Sequence, residues 1–187
     1  MKKILSLAVG CCILLACNNS KPAEPTTTAS TDTAATAEKK PPPPSEFADP
    51  KYMDMGKKNL DQLSSGDVDG WMNSYADNAR FSWSGGDSVV GKAAITNYWK
   101  DRRTKVIDSI SFTNDIWLPL KVNKPQKGPD VAGVWLLGWY QVHVKYKNGK
   151  KLAFWVHTDN HYDANDKIDI TVQYLDKAPI NKALGLH

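Results

Sequence analysis

The side chains able to do chemistry fall into three small groups. His157, Asp159 and His161 alternate along one stretch, with His143 upstream. Side chains at every second position share one face of a strand. Two imidazoles and a carboxylate on one face suit either a metal or an acid–base pair. The second group is aromatic. Trp71, Trp83 and Trp99, among seven tryptophans, sit where inward-facing positions are expected. They suit core packing or the wall of a pocket for a flat or apolar ligand. The third group is the thiols Cys11, Cys12 and Cys17, all near the N-terminus. No disulfide framework, cysteine nucleophile or cysteine-based metal site can then exist in the rest of the chain. Asp77 precedes an extended segment and reads as a turn or helix-end residue, not a catalyst.

The thiols have their own context. Lys2 and Lys3 precede an uncharged run of small and apolar residues from Ile4 to Ala16. That run is short of the roughly 20 residues a membrane span needs, but it suits a signal-peptide core. Leu14-Leu15-Ala16-Cys17 resembles the lipobox of bacterial lipoproteins, so residues 1–16 read as a signal peptide and Cys17 as the lipidated N-terminus. The resemblance implies a domain outside the cytoplasm, tethered to a membrane, with the outer membrane favoured.

From Asn18 to about Ala48 the chain is rich in Thr, Ala, Ser, Lys and Pro, and Pro41 to Pro44 are consecutive. Such a segment cannot bury enough apolar surface to offset its ordering entropy. It reads as a tether, stiffened toward polyproline II at the prolines. The formal net charge is only +4. Lys145, Lys147, Lys150 and Lys151 surround an expected hairpin, so no nucleic-acid partner is expected.

The elements that would position these groups lie between Asp49 and His187. Tyr52 to Leu63 has helical spacing through Tyr52, Met55, Asn59 and Leu63, ending at Ser64-Ser65-Gly66. Asp67 can cap a second helix with Trp71, Met72 and Tyr75 on its buried side. Arg80 to Trp83 reads as extended, and Gly85-Gly86-Asp87 as a turn. Gly91 to Arg102 reads as a third helix burying Ala94, Ile95, Tyr98 and Trp99. Strands follow: Val106 to Val122 alternating through Ile110, Phe112 and Ile116, then Val131 to Tyr146, Leu152 to Tyr162 and Ile168 to Leu175. Asn148-Gly149 is a hairpin signal, and Asn123 to Asp130 is a loop. Helices before a long antiparallel sheet give an α+β order.

Four strings in this order resemble the nuclear transport factor 2-like superfamily, in its SnoaL-like and ketosteroid-isomerase-like flavour. They are LSSGDVDGW from Leu63, YADNARF from Tyr75, VGKAAI from Val90 and HYDANDKI from His161. The resemblance implies a cone: three N-terminal helices packed on a curved, mainly antiparallel sheet, with a mostly apolar pocket between them. It also supplies positions to check. The proton-shuttling Asp of ketosteroid isomerases aligns with Trp83, and their oxyanion donors with Asn59 and Thr158. The acid–base Asp of SnoaL-type cyclases aligns with Gln173. None of these four side chains titrates near neutral pH.

The expected binding site is therefore Asn59, Trp83, Trp99, Tyr140, Thr158 and Gln173. Trp83, Trp99 and Tyr140 would supply apolar walls, while Asn59, Thr158 and Gln173 would orient a polar group. No catalytic residue, metal or cofactor is expected. With Thr158 in the pocket, His157, Asp159 and His161 face the convex side, beside Trp135, Trp139, Gln141, His143, Ile168, Ile170 and Val172. A sheet face of that kind reads as a homodimer interface in preference to a metal site. The leading expectation is binding of a small, partly apolar molecule. An enzyme with non-standard residues (an isomerase, cyclase or hydrolase) and a partner-binding structural module are the alternatives.

The leader generates a first prediction. In a bacterial host supplied with a fatty-acid analogue, the parent chain becomes labelled and Cys17→Ser does not. Equal labelling of both would show that Cys17 is not the lipidation site.

Overall fold

A computed structural model of the chain describes residues 40–126 and 131–186. The leader, Cys17, the tether as far as residue 39 and part of the loop before Val131 lie outside those residues. No helix among the described residues is long and apolar enough to cross a membrane.

Helix α1, Lys51–Ser65, begins where the Asp49 carboxylate accepts the Lys51 N–H. Its buried residues Tyr52, Gly56, Asn59 and Leu63 keep to one face, with Met55 half-buried. It ends at Gly66, whose φ of 86° is the left-handed conformation open to a residue without Cβ. Asp67 caps α2, Val68–Met72, by accepting the Gly70 N–H. Tyr75 does not extend that helix, as its spacing suggested, but opens strand β2, Tyr75–Trp83. After the Gly85-Gly86 turn come β3, Ser88–Val90, and α3, Lys92–Asp101. Helix α3 buries Ile95 and Trp99, while Ala94 is exposed. It runs into a π-helical turn, Arg102–Val106. Then come β4, Ile107–Val122; β5, Gly133–Tyr146; β6, Lys151–Tyr162; and β7, Ile168–Tyr174.

Two elements differ from the expected order. Strand β1, Ser45–Phe47, lies in the stretch read as tether and pairs antiparallel with Leu120–Val122. A fourth helix, α4, Ala178–Leu184, follows the last strand. The helices are thus not three N-terminal ones alone; one packs from the C-terminal side. Local chemistry accounts for α4. Asp176 accepts the Ala178 N–H, Pro179 stands in the first turn, and Gly185 ends it at φ 71°.

The fold is α+β. Seven strands form one curved sheet in the order β1-β4-β5-β6-β7-β2-β3. All neighbours are antiparallel except β2 and β7. Two irregularities decide which side chains face inward. In β4 the register shifts between Thr113 and Ile116, where Asn114 takes a φ of 55°. A shift of one residue exchanges the two faces of a strand. Ile116, expected inside with Ile110 and Phe112, is therefore 59% exposed, and Trp117 turns inward in its place. In β7 the shift between His161 and Tyr162 on the partner strand pairs Ile168 with Tyr162. Ile168 consequently lies in the core at 1% exposure, not on the convex face.

The Trp117 ring is where α1 meets the sheet. A Cβ on Gly56 of α1 would come within 2.8 Å of both Trp117 and Leu136, and one on Gly138 of β5 would collide with the Trp117 ring. Overpacking of a close-packed core typically costs about 1–3 kcal/mol. Gly138→Ala should therefore lower the unfolding free energy in urea by about 1–3 kcal/mol. Gly85→Ala, whose new Cβ meets only an Asp87 oxygen at 3.4 Å, should stay within about 0.5 kcal/mol of the parent. Equal losses would remove the special role assigned to the Trp117 contact.

Candidate functional site

The concave side of the sheet holds two adjoining cavities. The larger, about 260 Å³, lies between α3, the π-helical turn, α4 and strands β4 to β6. Its interior is apolar because inward positions of the strands carry Phe112, Tyr140, Val142, Val144 and Val156, and Ile180 of α4 closes it from the other side. The smaller, about 40 Å³, lies toward α1 and is lined by Asn59, Thr158, Asn160 and Thr171 among others. Leu63, Trp99, Tyr140 and Gln173 border both.

The expected site residues divide between these spaces. Trp83, Trp99, Tyr140 and Gln173 line the larger cavity, whereas Asn59 and Thr158 line only the inner one. Asn59 is already engaged there, its Oδ1 accepting the Ser74 hydroxyl at 2.7 Å. The six residues thus share one concave region but not a single open space.

A hydrogen-bonded chain of neutral groups crosses the boundary. Trp83 Nε1 donates to Gln173 Oε1 at 3.2 Å, and Gln173 Nε2 approaches the Tyr140 hydroxyl at 3.4 Å. Burial pushes the Tyr140 phenol up to about 12, opposed by hydrogen bonding to Gln173 and Thr158. A phenol so placed stays protonated at neutral pH and can serve as donor or acceptor. Deeper in, Thr171 Oγ1 donates to Asn160 Oδ1 at 2.8 Å and lies 3.2 Å from the Tyr75 hydroxyl. Burial raises Tyr75 well above the usual phenol range. The lining of the two cavities includes no Asp, Glu or His. What this arrangement can do is hold an apolar body and orient a polar atom, with uncharged donors and acceptors inside and the cations Arg102 and Lys177 on the larger cavity's lining.

The histidine–carboxylate set lies on the opposite, convex face. Strand alternation puts Thr158 and Asn160 inside, and Trp155, His157 and Asp159 outside. His157 stacks between Trp139 at 4.5 Å and Tyr174 at 5.4 Å between ring centroids. Its Nδ1 lies 3.1 Å from the Gly138 carbonyl, where only a donor fits. Its Nε2 lies 2.9 Å from Asp159 Oδ1. Desolvation raises the Asp159 carboxyl, opposed by His157. His161 is buried with Nδ1 2.6 Å from Asp169 and Nε2 3.1 Å from the Ala132 carbonyl. Both its nitrogens are engaged with acceptors, so it ties β6 to β7 and to the start of β5. His143 contacts the Thr113 hydroxyl at 3.0 Å. Among the described residues no group of three or more His, Cys, Asp or Glu is arranged to hold a metal ion.

This architecture recurs among solved structures. A candidate isomerase from Bacillus subtilis superposes with a TM-score of 0.56 at 18% identity, over 72% of this chain and 93% of that one. A candidate polyketide cyclase from Xanthomonas campestris gives 0.56 at 12% identity, over 71% and 95%. An LEH-like epoxide hydrolase of M. tuberculosis gives 0.50 at 14%, over 70% and 86%. The chain has the nuclear transport factor 2-like fold. At such identities the likeness is one of fold, since sites are grafted onto folds. No protein-family model and no curated protein sequence matches the chain.

Sequence reasoning missed the residues that the π-helical turn, α4 and the approach to α4 bring to this nuclear transport factor 2-like cone. Arg102, Lys177, Ile180, Asn181 and Leu184 all line the larger cavity. Asp176, Pro179 and Gly185 carried a readable helix signature. Nothing local indicates that the helix folds back over the cavity.

Proposed function

We propose that this chain is a lipid-anchored, extracytoplasmic domain that binds a small, partly apolar molecule in the cone. The observation carrying the reading is the apolar cavity of about 260 Å³ bordered by the neutral Trp83–Gln173–Tyr140 chain. Pre-formed concave sites with few convergent polar groups are where small ligands bind. The Leu14 to Cys17 string supports the address. An enzyme is the alternative, supported by the isomerase, cyclase and hydrolase descriptions of the structural neighbours.

Tryptophan fluorescence of the purified full chain tests the reading, because Trp83 and Trp99 line the cavity. A panel of small apolar molecules with one polar group should include ligands that quench it saturably. Gln173→Ala should weaken their binding about five- to tenfold, the usual worth of one or two hydrogen bonds. A panel without any saturable quenching would sink the pocket reading. Turnover of a ketosteroid above buffer, lost in Thr158→Ala, would favour the enzyme.

The partner proposed for the convex face is a second copy of this chain. Phe47, Ile116, Trp155 and Tyr174, on β1, β4, β6 and β7, are all large, apolar and at least 44% exposed. Charged groups on that face are partly paired within it, His157 with Asp159 and His161 with Asp169. An isologous dimer needs such a self-complementary apolar patch. The full chain should sediment as a dimer, shifted toward monomer by Val172→Lys. A parent that is monomeric at high micromolar concentration overturns the dimer and leaves the pocket untouched.

A further inference from the structure

The cationic groups at the larger cavity narrow the class of ligand. Two charged residues line it, Arg102 and Lys177, and both are positive. Arg102 sits at the start of the π-helical turn, half-buried, with its guanidinium 5.7 Å from the Tyr98 ring centroid. Among the described residues no carboxylate lies within ion-pair distance of it. The Arg102 charge also opposes the burial-driven rise of the Tyr146 phenol on the cavity wall. Lys177 also lines the cavity, with its Nζ 4.8 Å from the Trp83 ring centroid. It is held by Asp87 at 2.6 and 2.7 Å. Exposed Asn181 adds an amide at the same rim.

An apolar chamber whose rim carries a guanidinium bonded to the Tyr98 hydroxyl but to no carboxylate has a definite complement. We infer that the ligand is an amphipathic acid, its apolar body inside the cavity and its single carboxylate at Arg102. This rests on the pocket reading above and adds the charge and orientation of what binds. A guanidinium presents two parallel N–H donors that match a carboxylate, and a charge-assisted bond is stronger than a neutral one. Half-burial at a low-dielectric rim protects the pair from part of the screening that weakens exposed ion pairs. Lys177 is held by both Asp87 oxygens, so that pair carries little net charge and the ligand's carboxylate depends on Arg102. The walls admit either an aliphatic or an aromatic body, because Val142, Val156 and Ile180 meet Phe112, Trp99 and Tyr140 in the same chamber.

Calorimetry on the purified full chain separates the possibilities, with octanoate against octanol and naphthoate against naphthylmethanol. Each acid should bind about tenfold or more tightly than its alcohol, the worth of one charge-assisted hydrogen bond. The tighter acid identifies the body as aliphatic or aromatic. Arg102→Gln should erase the preference for the acid over its alcohol, and Arg102→Lys should restore part of it. Salt provides a measurement on the parent protein, needing no folded variant: acid affinity should fall severalfold from low to high ionic strength and alcohol affinity should not. Alcohols binding as well as acids, or acid binding indifferent to salt, would overturn the inference and leave the pocket reading standing. Failure of all four compounds to bind, together with an unresponsive quenching panel, would defeat the pocket reading itself.

Discussion

Close approach of α1 to the sheet is the constraint on which the rest of the molecule depends, and it rests on one indole between two glycines. Trp117 projects inward from β4 opposite Gly138 of β5, and Gly56 of α1 lies against the same ring. Neither glycine carries a Cβ that would hold the ring away. Helix and sheet can therefore approach closely enough to bury Leu136 completely and Tyr52 and Leu63 almost so. The Trp117 ring also borders the inner cavity, so the contact that docks the helix sets the closed end of the cone. Its inward direction follows from the irregularity at Asn114, without which the strand would present Ile116.

Closing one end of the cone leaves the other to be shaped by later elements. The π-helical turn after α3 brings Arg102 to the rim, and α4 folds back so that Ile180 and Leu184 roof the chamber. Polar groups are graded along this axis. Neutral amides and hydroxyls occupy the inner void, the Trp83–Gln173–Tyr140 chain crosses the boundary, and charge stands only at the opening. That gradient follows the cost of burial: a hydroxyl or amide can be satisfied by one or two partners, whereas a buried unpaired charge is far more expensive.

The two faces of the sheet put their polar groups to different uses. Inside, hydrogen bonds link uncharged side chains around space. Outside, imidazoles and carboxylates are locked to each other, to backbone carbonyls and to aromatic rings, as His157 and His161 show. A histidine with both nitrogens engaged and its ring stacked is a structural fastener. The alternation of His157, Thr158, Asp159 and Asn160 separates these roles by one residue.

Local pattern in the chain was enough to place α1, the Asp67 cap, α3, the hairpin at Asn148-Gly149 and the long strands β4 to β7. Each depends on neighbours a few residues apart, through helical or alternating periodicity and through turn chemistry. The α+β order and the convex placement of His157 and Asp159 followed from the same regularities, the second with a family resemblance to set which face is which. Periodicity failed at the bulges near Asn114 and at Asp169, because a bulge is favoured by pairing with another strand and leaves no clear local mark. Strand β1 was unreadable for a related reason: Ser45–Phe47 is a strand only because β4 offers it an edge. The cavity lining from α4 and the lack of a carboxylate beside Arg102 are further removed from local signal, since they depend on residues distant in sequence meeting, or failing to meet, in space. Sequence by itself determined the elements and the side chains available for binding. Only tertiary packing decided which of them surround the same empty volume, because volume and charge pairing are properties of the assembled chain.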